Sequence, residues 1–123
     1  MIISRNKQKA QRQHAEHVRA LLADRFPKCF AGQGQPKRPL KVGIGQDLLL
    51  QMPELSAYSI GVALEDYCWG KRYCASMIAG ESRINLEGEP DGVVRPMEAD
   101  HAALRLRMFD AQRAQPAPGE QGA

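Results

Sequence analysis

Between residues 36 and 48 the chain reads Pro36-Lys37-Arg38-Pro39-Leu40-Lys41-Val42-Gly43-Ile44-Gly45-Gln46-Asp47-Leu48, and no single regular element can cross it. The two prolines remove backbone donors and bias the residues before them toward extended backbone. Gly43 and Gly45 leave the turn that follows without side chains, and an apolar helical run starts inside it. The fold must therefore change direction here. Lys41 is held between a rigid lead-in and a bare backbone, a setting where an anion can come close.

The flanks differ in charge. Residues 1–41 hold ten Lys/Arg against Glu16 and Asp24, a balance of +8, whereas residues 42–123 carry −5, giving the net +3. Such asymmetry points to a polyanion met by one end or face; a solvated basic helix would explain it equally well. No apolar run approaches the ~18 residues of a membrane span. The N-terminus, Met1-Ile2-Ile3-Ser4-Arg5, lacks the apolar segment of a secretory signal, so a cytoplasmic protein is expected. Cys29, Cys68 and Cys74 form no Cys-x-x-Cys pair, which argues against a zinc or redox motif and for reduced thiols.

Periodicity divides the rest. Ala15, Val18, Leu21 and Leu22 make an apolar stripe that predicts a helix over residues 5–25, stopped by Phe26-Pro27. Its first two turns, around Lys7 and Lys9, carry almost nothing to bury. Phe26, Cys29 and Phe30 suit a core, and residues 31–37 read as a polar, Gly-rich loop. Ile44, Leu48 and Met52 mark a second helix that Pro53 ends. Ser56 can cap a third, in which Ile60, Ala63, Leu64 and Tyr67 recur at helical spacing and Gly70 bends or ends the run. Arg83-Ile84-Asn85-Leu86, a turn at Glu87-Gly88-Glu89-Pro90, and Val93-Val94 predict a hairpin over residues 82–94. Pro96 opens a last helix with Glu98 and Asp100 near its positive end, and Met97, His101, Leu104, Met108 and Ala111 share one face, on which His101 reads as a packed core histidine.

Little here suggests catalysis. Gly43-Ile44-Gly45 lacks the third glycine of a dinucleotide loop, because position 48 is leucine, and no Gly-Lys-Ser/Thr follows. His14 and His17 lie one helical turn apart without a third ligand, so no metal, no cofactor and no enzyme activity are expected. The remaining candidates suit nucleic acid. Lys41 and Arg72 can hold phosphate, the helix start at Ser56 offers free N–H groups, and Tyr67 or Tyr73 can stack on an unpaired base, while at least one of the two is expected to pack in the core with its hydroxyl at the edge. Trp69 reads as a packing residue.

These residues carry a resemblance. Arg25-Phe26-Pro27-Lys28-Cys29-Phe30, Arg38-Pro39-Leu40-Lys41-Val42-Gly43-Ile44 with Gln46-Asp47-Leu48, Leu55-Ser56, Ala63-Leu64, Tyr67, Arg72-Tyr73 and the hairpin from Gly80 to Gly92 occur in order. In this the chain resembles the ProQ/FinO domain family of bacterial RNA chaperones, over about residues 15–112. The resemblance implies a single α+β domain, mostly α with a small β-hairpin. It would span residues 15–112, preceded by a basic arm or helix extension at 1–14 and followed by a disordered polar tail at 113–123. It implies binding of structured RNA, above all a stem followed by a single-stranded, U-rich 3′ end as at intrinsic terminators. The role implied is post-transcriptional, stabilising or pairing small regulatory RNAs and mRNA 3′ ends. Lys41, Ser56, Tyr67 and Arg72 match the family's pocket positions, with Gly43, Lys71 and Arg38 beside them. Lys41 would form one wall, Tyr67 and Arg72 the facing side, and Ser56 would open the helix between. A monomer fits the small apolar surface.

The chain departs from the family's pattern at Gly61, Glu65 and Ile78, where relatives carry basic residues. No lysine stands beside the Ser56 cap, and Trp69 stands two places ahead of the usual tryptophan. The charge footprint is thus expected to shift toward the N-terminal arm, and the chain to be a minimal version without a long C-terminal extension. Two other readings remain from the residues alone: a protein-interaction module for an acidic partner, and a DNA-binding regulator.

Overall fold

The computed structural model describes residues 2–32 and 35–114. Five helices and one hairpin follow in chain order: α1 (Ile2–Arg25), α2 (Ile44–Gln51), α3 (Ala57–Trp69), α4 (Lys71–Ser76), β1 (Ser82–Ile84), β2 (Pro90–Val93) and α5 (Pro96–Ala114). The mostly helical class with a small hairpin is thus observed. The polar tail is outside the described residues from position 115 on, while residues 113 and 114 close α5. Two positions of the Gly-rich loop, 33 and 34, are also outside the described residues.

α1 has two characters. Residues 7–14 are exposed at every position, whereas Ala15, Val18 and Leu22 are buried and join the helix to the core. Leu21, placed on that stripe by its spacing, is instead exposed. After α1 the backbone turns through Phe26, and Cys29 and Phe30 are driven inward. The Pro36–Lys41 segment then runs beside the hairpin. Leu40 forms a parallel bridge with Ile84, the Ile84 N–H donates to the Pro39 carbonyl and the Lys41 N–H to the Ile84 carbonyl. Pro39, which has no N–H, thus contributes its carbonyl to the ladder. Gly43 turns the chain into α2 with φ of 84°, a left-handed conformation that favours glycine.

Ile44, Leu48 and Met52 face inward, as their spacing requires. Ser56 caps α3 by accepting a hydrogen bond from the Ser59 N–H at 3.1 Å. Gly70 both ends α3 and starts α4. In the hairpin, β1 and β2 run antiparallel with an irregular register between Ser82 and Ile84. The Asn85 side chain accepts from the Glu87 and Glu89 N–H groups to form the turn. The core joins α1, α2, α3 and the hairpin through Val18, Leu22, Phe30, Leu48, Tyr67 and Ile84. Complete burial of one such apolar side chain contributes roughly 1.5–3 kcal/mol.

α5 overturns one expectation. Met97, Leu104 and Met108 are exposed, as is His101, which is no core histidine. Ala99, Ala102, Leu106 and Phe109 turn inward instead. α5 carries two apolar stripes, and its packing on α4 selects the one with the smaller residues.

Candidate functional site

The segment from Gln35 to Val42 separates two cavities, and its side chains decide what each can do. On one side, Gln35, Pro36 and Lys37 face Arg72, Ala75 and Ser76 of α4 across a groove of about 410 Å³. Lys37 Nζ donates to the Tyr67 carbonyl at 2.8 Å and lies 4.3 Å from the Tyr67 ring centroid. That carbonyl belongs to the last turn of α3, where carbonyls lack helical partners and the helix end is partly negative. Burial, then the nearby Arg19 guanidinium, pull the Lys37 pKa below its ordinary value. Arg72 also lowers it, while Asp66, itself held by Arg19 at 2.7 Å, raises it. Arg72 is exposed, as is Arg38, and among the described residues neither forms an ion pair. Among the described residues no carboxylate lines the groove.

On the other side the charges are matched. Lys41 Nζ lies 2.8 Å from Asp47 Oδ2 and 3.8 Å from Asp91 Oδ2, and the hydrogen bond to Asp47 raises its pKa. A cavity of about 470 Å³ opens beside it, lined by Lys41, Val42, Arg83, Val93, Arg95 and Glu98 among others. Arg83, which residue-level reasoning left out of the site, is 7 % exposed. Its guanidinium donates to the Leu40 carbonyl at 2.7 Å and meets Glu98 at 3.0 Å, while its Nε has no partner. The sequence carried no signal for it, because Arg83-Ile84-Asn85-Leu86 alternates as an ordinary strand, and only the structure buries both Arg83 and Ile84. Glu98 also accepts from the Arg95 N–H, and this bond, with that from Arg83, holds its carboxyl below the ordinary glutamate value.

Both tyrosines pack in the core, where at least one of them is expected. Tyr67 is 1 % exposed, its ring edge-on to Phe30 and Tyr73, and its hydroxyl accepts the Ala31 N–H at 2.9 Å. Burial pushes its hydroxyl pKa up. Tyr73 is buried too, accepting the Leu40 N–H at 3.0 Å, with its pKa pushed up to about 12 by burial. Neither ring presents a free face, so stacking on a base gives way to a structural role. The two hydroxyls instead anchor the chain on either side of Lys37, at Ala31 and Leu40.

Nor do the expected positions converge on one pocket. Arg72 belongs to the Lys37 groove, whereas Lys41 and the Gly43 turn lie beyond it. Ser56 starts α3 and Tyr67 stands eleven residues along it, about 16 Å away at helical rise. The Ser56 end has its own surroundings: His14 Nε2 lies 2.8 Å from Ser59 Oγ, and the His14 ring stacks on exposed Tyr58. Lys71 reaches Asp110 of α5 at 3.4 Å. Trp69 is 55 % exposed, with the Arg105 guanidinium 4.2 Å from its ring centroid, so it is not a core packing residue.

Against this geometry, residues 8–118 match the model of the ProQ/FINO family. The chain is 42% identical over 94 residues to the RNA chaperone ProQ of Haemophilus ducreyi, covering 74% of this chain and 51% of that protein. It is 36% identical over 102 residues to the RNA chaperone ProQ of Aliivibrio fischeri, covering 80% and 49%. The chain thus spans about half the length of these curated relatives. Among solved structures, it resembles a ProQ homolog from Legionella pneumophila with a TM-score of 0.66 and 27% identity, covering 81% of this chain and 86% of that one. A FinO-like RNA chaperone from Neisseria meningitidis shares the fold, with a TM-score of 0.63, 23% identity and 80% of each chain covered.

Proposed function

This chain belongs to the ProQ/FINO family, and we propose on that footing that it is an RNA-binding chaperone module. Its ligand is structured RNA, such as a terminator stem with a single-stranded 3′ end. Its role is to stabilise or pair regulatory RNAs without making or breaking a bond. The observation that carries the reading is the groove of Lys37 and Arg72, which has no carboxylate in its lining. Lys37 sits there with its pKa below the ordinary value, by burial first and the Arg19 guanidinium second, so a phosphate would bring a counter-charge that the described lining lacks. Arg72, planar and exposed, can grip two phosphate oxygens at once, while Lys37 and Arg38 act as further positive charges. Duplex RNA would be met through its backbone and shape, and unpaired nucleotides would supply selectivity. Lys41 and Gly43 take a supporting part, shaping the turn beside the groove. The free N–H groups at the start of α3, next to Ser56, remain a second phosphate contact, and Lys71 adds charge at the edge.

The test is a binding series with a terminator hairpin bearing a U-rich 3′ tail, the same hairpin without it, and duplex DNA of equal sequence. Arg72→Ala is expected to weaken binding to the tailed hairpin by roughly 1–3 kcal/mol, the range for a charge-assisted hydrogen bond. Unchanged affinity at matched salt, with the fold intact by circular dichroism, would overturn the groove assignment. Preference for duplex DNA would overturn the RNA reading itself.

A further inference from the structure

A second groove, of about 570 Å³, runs between α1 and α3 and ends at Trp69. Its walls come from two helical stripes with the same spacing: Gln8, Gln11 and Arg12 on α1, Glu65 and Trp69 on α3. Ala15 and Val62, both buried, close its floor. We infer that this groove is a single-strand site in which one unpaired nucleobase lies on the indole of Trp69 and its phosphate meets Arg12. The inference rests on the RNA-binding reading and adds a site separate from the Lys37–Arg72 groove.

The argument begins with Trp69. An aromatic ring 55 % exposed at the end of a groove is an expensive surface to leave in water. Arg105 holds the ring with its guanidinium 4.2 Å from the centroid, and Arg105 does not line the groove. Arg105 thus lies over the indole, Trp69 also lines the cavity, and a base stacking on a ring already held orders little further. Arg12 forms no ion pair among the described residues, and it stands on the half of α1 where every position from 7 to 14 is exposed. Asp66, which also lines the groove, is engaged by Arg19 at 2.7 Å. Glu65 forms no ion pair among the described residues.

The walls discriminate between occupants. An apolar helix of a protein partner would need an apolar stripe, and here Gln8, Gln11, Arg12 and Glu65 surround a single aromatic. Amide groups, the Glu65 carboxylate beside an Asp66 already held by Arg19, one cation and one ring are a set that a nucleotide can use: edge, phosphate and base face. Glu65 accepts hydrogen bonds but, when ionised, cannot donate them. It can accept from the exocyclic amino group of a base, where uracil offers only its ring N3–H, and a purine presents the larger face for stacking. Adenine and guanine both meet these conditions, and oligo(A) serves as the purine probe.

Trp69 is the sole tryptophan, so its emission reports this site directly. Oligo(A) and oligo(U) of equal length are titrated into the full chain, followed in parallel by tryptophan emission and by the anisotropy of end-labelled RNA. Oligo(A) is expected to quench the emission at severalfold lower concentration than oligo(U). Trp69→Ala and Arg12→Ala are each expected to weaken oligo(A) binding by roughly fivefold or more. Trp69→Phe should keep most of it, and Glu65→Ala should narrow the preference for A over U. Because Trp69 and Arg12 are outside the core, either variant can be checked for an intact fold and used alone. RNA binding by anisotropy with no change in emission, and unaltered affinity in both variants, would overturn this site and leave the RNA reading standing. Binding of neither RNA by either probe would overturn both. Quenching that rises with protein concentration in the absence of RNA would mark a second copy of the chain as the occupant and overturn the nucleobase.

Discussion

Lys37 and Lys41 stand four residues apart on one segment, separated by at most about 14 Å, yet their surroundings are opposite. Lys37 lies on the Tyr67 ring among arginines, and burial draws its pKa down. Lys41 lies between Asp47 and Asp91, and its hydrogen bond to Asp47 drives its pKa up. The same side chain thus rests on a carbonyl and a ring in one groove, with no carboxylate ion pair among the described residues, and is paired with two carboxylates beside the next. Counting basic residues could not have separated them. Affinity for a polyanion depends on the charge that is left over after internal pairing, and the proposed function places phosphate at Lys37 and Arg72 for that reason.

The comparison can be broken most forcefully from behind. Tyr67 supplies both the ring and the carbonyl on which Lys37 rests, and its burial predicts that Tyr67→Ala destabilises the fold by about 3–5 kcal/mol. Urea denaturation measures this. A small loss would mean that the Lys37 groove is not held by the core at all. Raising the pH tests the same wall. Burial pushes the thiols of Cys29 and Cys68 up to about 12 and 11, and the Tyr73 hydroxyl to about 12. The unfolded chain releases these protons first, so stability is intact below about pH 9 and falls as pH rises from there through 11 to 12. Lys37 works the other way, since its lowered pKa favours folding once it is neutral. The urea midpoint should therefore decline above pH 9, and Cys68→Ala should make the decline shallower; a flat profile would contradict the buried setting of these groups.

The comparison is sharpened at the cations themselves. Arg72→Ala is expected to reduce RNA affinity by the amount given above, whereas Lys41→Ala should leave it within roughly threefold, as for a surface charge already paired. Equal losses would show that RNA strips Lys41 from its carboxylates. The smallest effect runs in the opposite direction. Asp47→Asn should release Lys41 and tighten RNA binding by roughly two- to threefold, with a steeper salt dependence.

The sequence by itself determined the elements and their limits. The apolar spacing of α1 to α3, Pro27 and Pro53 as stops, Ser56 as a cap, Gly43 at a left-handed turn and the hairpin at Asn85–Pro90 all depend on neighbours within about four residues, and such chemistry is written contiguously. Several rare blocks in order also made the family legible. The tertiary structure decided everything that depends on a distant partner. Lys37 meets Tyr67 thirty residues on, and Lys41 meets Asp91 fifty residues on. Tyr67 was buried because the Ala31 N–H and Phe30 come to it from another part of the chain. α5 offered two apolar stripes of similar merit, and only its contact with α4 chose between them. Local spacing says which groups a chain owns; packing says which of them remain free to bind.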